Sequence, residues 1–187
     1  MAENKVQFNL KNVHYAVQTA GGEAPAWDTP VAIPGAVSLA LDQQGEISKF
    51  YADGVIYYQS ASNNGYEGDL EVAKFPEQML ADIWKMTKVQ TDNVVIENAN
   101  EEPAAFALMF QIDGDAEERY FTLYNCTATR PSIGSKTNEG SKAPQTQSVT
   151  ISAAPLADGR VKANTCADTT EEVKAAWFTK VYEPAKG

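Results

Sequence analysis

Between Glu67 and Val72 the chain alternates strictly. Glu67, Asp69 and Glu71 fall on one parity, and Gly68, Leu70 and Val72 on the other. Successive side chains of a strand point to opposite faces, so this segment reads as a strand with one buried face and three carboxylates in a row on the other. A row of like charges repels itself, which restricts where such a strand can lie. Either it is a solvated edge that discourages aggregation, or it faces something that must not adhere, and duplex DNA is the polyanion such a face would repel.

The same period recurs along the chain. Short runs of strand type lie between turn signals at Ala20-Gly21-Gly22, Pro34-Gly35, Gln44-Gly45, Asp53-Gly54, Asp113-Gly114 and Asp158-Gly159. Val37, Leu39 and Leu41 share one face of Ala36 to Leu41, and Phe106, Leu108, Phe110 and Ile112 form the inward set of the next strong run. Arg119 to Thr129 follows the Asp113-Gly114-Asp115 turn as the second arm of a hairpin. Val149, Ile151 and Ala153 alternate with Ser148, Thr150 and Ser152, and a last arm runs from Arg160 to Thr165. The architecture expected is antiparallel β, sandwiched or partly closed into a barrel.

Two short helices interrupt it. One starts at Pro76 as its first helical residue and carries Met79, Leu80, Ile83 and Trp84 as an apolar stripe. A glycine is expected to end it, yet the chain reads Trp84-Lys85-Met86-Thr87. The other starts at Thr169, with Glu172 completing a capping box and Val173, Ala176 and Trp177 on one face, placed to plug an open side of a barrel.

Composition narrows the function classes. The chain has 187 residues with 43% hydrophobic content, enough for one core of ordinary size. Its net charge of −10 and its lack of basic clusters argue against general nucleic-acid binding. No apolar run reaches the roughly 20 residues that span a bilayer. The N-terminus has no signal-peptide core, so synthesis in the cytoplasm is expected. Cys126 and Cys166 read as two buried thiols in a reducing compartment.

Catalytic signals are poor. His14 is the single histidine, between Val13 and Tyr15, and no activating G-x-S-x-G turn accompanies it. It reads as a packing or interface residue. One histidine and two distant cysteines supply no zinc spacing, and Asp113 to Glu118 lacks the ligand spacing of a calcium loop and reads as a hairpin tip. No catalytic, cofactor or metal residue is therefore assigned. Two segments do not fit a compact β domain: Asp53 to Tyr66, with Tyr57 and Tyr58 before a polar tract, and Thr129 to Gln147, nearly twenty residues without an apolar pattern. The second reads as a long hairpin arm, and a protruding arm implies a partner.

Seven blocks in order carry a resemblance: Asn4 to Ala16, Pro34 to Leu41, Phe50 to Tyr58, Asn63 to Ala73, Leu123 to Thr137, Pro144 to Ala153 and Ala175 to Pro184. Together they resemble the major tail protein, or tail-tube protein, of long-tailed bacteriophages with non-contractile tails. The resemblance implies a β-sandwich or partial barrel with a flanking helix and long inter-subunit loops. Residues 1–187 would be a single tail-tube domain, with 1–35 an N-terminal arm and first strand, 129–147 the hairpin arm, and no C-terminal immunoglobulin-like domain. It further implies a structural virion protein, not an enzyme, whose six copies form a ring; rings stack into a hollow tube. Tape-measure protein occupies the lumen before genomic DNA passes without specific binding. Tail terminator and distal tail proteins would be further partners, with assembly in the host cytoplasm and no membrane. On this reading Glu67, Asp69 and Glu71 line the lumen. Tyr57, Tyr58, Asn63, Asn64, Tyr66, Arg130, Lys136, Glu139 and Lys142 lie between subunits or rings. Asp53-Gly54-Val55 departs from the usual loop of that family. The runner-up is the inner tube of a contractile tail or secretion apparatus. A carbohydrate-binding module, with Trp27, Tyr57, Tyr58 and Tyr66 as stacking platforms, is the alternative from another class.

Overall fold

The computed structural model describes residues 3–22, 24–137 and 144–184. In chain order the elements are β1 (Gln7–Ala20), β2 (Ala26–Trp27), β3 (Val31–Ala32), β4 (Ala36–Gln44), β5 (Ile47–Ala52), β6 (Val55–Ala61) and β7 (Gly65–Val72). Then come α1 (Glu77–Asp82), β8 (Thr87–Val89), β9 (Val94–Ile96), β10 (Phe106–Gly114), β11 (Arg119–Ala128), β12 (Gln147–Ala153), β13 (Lys162–Asn164) and α2 (Glu171–Ala176). The protein is mainly β, as its period-two patterning predicts. One antiparallel sheet runs in the order β2-β1-β10-β11-β12-β7-β4, with β3 beside β1 and β13 beside β11. The N-terminal stretch is a first strand, paired with β10 from Gln7 to Val17.

The sheet curls until β4 lies against β1 without pairing to it. Gly68 permits part of this bend, because a Cβ there would fall 1.9 Å from the Ala40 carbonyl oxygen of β4. Inside the curl, Phe106, Leu108, Phe110, Leu70, Val72, Val149 and Ile151 pack with Phe75, Met79, Ile83 and Trp84 from α1 and its flanks. Trp84 spends its indole N–H on the Ala128 and Thr129 carbonyls at 3.3 and 2.9 Å, and Tyr15 donates to Asp82 at 2.7 Å. Burying each large aliphatic or phenylalanine side chain of this core contributes about 1.5–3 kcal/mol.

A second core lies on the outer face. Ala107, Met109 and Tyr124 meet Trp177 and Val181 under α2. β10 is therefore buried on both faces, and α2 covers the outer side of β1, β10 and β11 rather than plugging an opening.

Several local expectations are corrected. Pro76 is the N-cap of α1 rather than its first helical residue, so the helix begins one position later than expected, and Thr170 rather than Thr169 caps α2. Its hydroxyl accepts from Val173, so no capping box with Glu172 forms. Val37 leaves the face of Leu39 and Leu41, because a bulge between Ala36 and Ser38 turns it outward, 53% exposed. Cys126 is buried, but Cys166 is exposed, and both thiols are free. The glycine missing after α1 is replaced by Lys85 itself at φ 56°, with Met86 N–H returning to the Leu80 carbonyl at 3.1 Å. No helix among the described residues is long and apolar enough to cross a membrane.

Candidate assembly surface

The acidic strand β7 is not an edge. It pairs with β12 on one side and β4 on the other, so Glu67 lies between Ser152 and Asp42, Asp69 between Thr150 and Ala40, and Glu71 between Ser148 and Ser38. The face is one of acids and short hydroxyls. Thr150 donates to Asp69 at 2.8 Å and Ser38 to Glu71 at 3.0 Å, and Thr146 also donates to Glu71. These donors hold the Glu71 carboxyl below its ordinary range, Thr146 contributing most and Ser38 next. Among the described residues, no lysine or arginine forms an ion pair with Glu67, Asp69 or Glu71. α2 covers the other half of the outer sheet, and among the described residues no helix covers this half.

β4 borders that face, and among the described residues its outer edge has no strand partner. Beyond Gln44 the β4–β7 ladder continues through Asn64 N–H to the Gln44 carbonyl and Ser62 N–H to the Glu46 carbonyl, 2.8 and 2.9 Å. It leads into a separate two-stranded hairpin, β5–β6. Its turn is Asp53-Gly54, with φ of 53° and 78°, the geometry that matches the twist of paired strands. This corrects one expectation: Asp53 to Tyr66 is strand rather than loop over Val55–Ala61, and residues 47–61 form a hairpin of their own. The described parts of 129–147 carry no strand before Gln147.

The hairpin is apolar and bare. Phe50, Tyr51, Val55, Tyr57 and Tyr58 are 59–73% exposed. A register shift beside Phe50 leaves Tyr57 as an extra residue, and its ring meets the edge of Phe50 at 6.4 Å. A smaller hairpin, β8–β9, exposes Val94, Val95 and Ile96. The sequence carried a signal for the larger one, two aromatic-rich runs on either side of Asp-Gly, and the polar tract after Tyr58 obscured it.

The remaining candidates fall in different places. Asn63 and Asn64 form the joint between hairpin and barrel, where the Asn63 side chain accepts from Gly65 N–H at 3.1 Å. Tyr66 lies at the base, with the Lys162 ammonium 4.8 Å over its ring. Arg130 is engaged within the protomer: it reaches the Asn98 and Glu101 carbonyls at 3.0 Å, the Trp84 carbonyl at 3.4 Å and the Glu97 carboxylate at 3.1 Å. Lys136 is exposed, and Glu139 and Lys142 lie outside the described residues. His14 packs on the Phe178 ring at 4.9 Å. Trp27, a stacking platform in the carbohydrate reading, is held by its N–H to the Tyr124 carbonyl at 3.1 Å and by the Tyr124 ring.

No protein-family model matches the chain, and no curated protein matches it. Solved structures do show likeness. A chain of the anti-feeding prophage cap, a tube-terminating cap, is 13% identical over 89% of this chain and 97% of its own, with a TM-score of 0.47. A chain of the anti-feeding prophage baseplate is 11% identical over 90% and 100%, also at 0.47. A chain of the sheath-tube complex of an extracellular contractile injection system is 13% identical over 87% and 94%, at 0.45.

Proposed function

We propose that this chain is a structural tail-tube protein, six copies forming a ring and stacked rings forming the hollow tube through which genomic DNA is ejected. The observation that carries this reading is the open half-sheet: an acid and hydroxyl face bounded by the unpaired edge of β4. A free edge exposes a row of backbone donors and acceptors and is a liability to a monomer. In a ring the edge is satisfied by the next subunit, and heterologous contacts that close by rotation give such rings.

The acids then face the lumen. At physiological salt the Debye length is about 8 Å, so the lining does not hold DNA on the axis. It keeps DNA from adhering to the wall. Exposed Tyr57 and Tyr58 suit contacts between subunits or rings, because tyrosine buries much area at low entropic cost. Tape-measure, terminator and distal tail proteins are the partners this role requires.

Negative-stain electron microscopy with light scattering on the same sample tests the reading. Rings or tubes are the expected result. A monomer at every concentration overturns it.

A further inference from the structure

The curl of the sheet leaves a gap between two strand edges. β3 covers the outer edge of β1 at His14 and Tyr15, and β2 covers it near the end, so among the described residues Gln7 to Lys11 have no strand partner on that side. The facing edge is that of β4, paired only to β7. Gln7 to Leu10 of β1 and Leu39 and Leu41 of β4 line one opening between the two strands. A cavity of about 450 Å³ lies in this opening, walled by Phe8, Leu10, Leu39, Leu41 and, from beneath, Ile112 and Phe121. Two unpaired edges over an apolar slot are the features that β-augmentation uses: backbone bonds give affinity, and alternate side chains enter pockets.

We infer that the slot between β1 and β4 accepts the β5–β6 hairpin of a second copy of this chain. The inference rests on the assembly reading above. The hairpin of the same protomer cannot fill the slot, because it extends β4 and β7 in line through the bonds at Gln44 and Glu46. Self-complementarity points to a second copy, since one chain carries both an exposed apolar hairpin and an open apolar slot. In a chain of net charge −10, residues 47–61 carry only Lys49 and Asp53, and among the described residues Lys162 is the only charged one lining the slot. These two surfaces meet without opposing carboxylates, and both are apolar. Phe50, Tyr57 and Tyr58 supply the side chains that enter.

Disulfide trapping between two full-length populations tests this, with Cys166→Ser in both so that no exposed native thiol competes. One population carries Tyr57→Cys, the other Phe8→Cys, an exposed position whose change leaves the core intact. Leu39→Cys is the second acceptor, and Glu101→Cys, on a distant loop, is the control. Microscopy and scattering are recorded on each mixture. Cross-linking at Phe8→Cys or Leu39→Cys at least tenfold above the control is the expected result. Assembled particles with no excess over the control overturn the docking and leave the tube reading standing. Absence of both particles and cross-links overturns the two together.

Discussion

Thr150 donates its hydroxyl to Asp69 at 2.8 Å across the β12–β7 pair, so the central acid of the exposed row is held by a neutral partner. The charge stays uncompensated while the side chain is oriented. Ser38 and Thr146 do the same for Glu71. Neutral donors fix the acids without cancelling them, as the proposed lumen lining requires.

Charge reversal tests that wall. Glu67→Lys, Asp69→Lys and Glu71→Lys together should leave the fold intact, because all three point away from the core. Particles assembled from the variant should retain duplex DNA at low salt and release it as salt rises. Particles of the parent chain should not retain it. Filter binding across a salt series reads the difference, and equal retention by both rules out these acids as the lining.

The hairpin should matter to assembly and little to folding. Phe50→Ser, Tyr57→Ser and Tyr58→Ser remove exposed side chains and should change unfolding free energy by no more than about 0.5 kcal/mol each. The same variants should raise the concentration needed for assembly at least tenfold. Thermal unfolding beside light scattering separates the two effects.

Acid should weaken the β1–β10 joint. Asp113 accepts from Asn9 and Gln111 at 3.0 and 3.1 Å and pairs with Lys11 at 2.6 Å, and Lys11 contributes most to holding its carboxyl below 3.8. A depressed carboxylate gives stability that is present above its unfolded pKa and lost as pH falls through the folded one. Lys11 is raised above 10.5 by the same partner, so its share is present below that value and lost as pH rises through its folded pKa. Asp113→Asn should therefore lower Tm near neutrality and converge with the parent as pH falls through the depressed carboxyl pKa. A Tm difference that persists unchanged into strong acid would contradict this.

Lys85 offers a stability gain. A non-glycine residue in the left-handed region costs about 1–2 kcal/mol, and Lys85 recovers part of it through its ammonium on the Asp82 carbonyl at 2.8 Å. Lys85→Gly should raise stability by about 0.5 kcal/mol, the relief of strain exceeding an exposed hydrogen bond. Lys85→Val should lower it by about 1–2 kcal/mol, since a branched side chain fits that conformation worst. Chemical denaturation of both variants checks the order.

Much of the fold was legible in residue order. The alternation in Glu67 to Val72, Phe106 to Ile112 and Ser148 to Ala153 assigned both strand and inward face, because side chains on a strand have only two directions. The Asp-Gly dipeptide at 53–54 also marked its turn, since few other pairs accept two positive φ angles cheaply.

What strand neighbours what was decided elsewhere. Nothing local says that β7 lies between β12 and β4, or that β4 and the start of β1 keep open edges over one slot, because strand partners distant in sequence are chosen by the burial of the whole sheet. The bulge that turns Val37 outward and the left-handed Lys85 were settled the same way, by packing that outweighs a local preference of about 1 kcal/mol. The order of residues determined which segments are strands and which face of each is apolar. The tertiary structure alone decided which faces and edges remain uncovered, because exposure depends on every other element being in place.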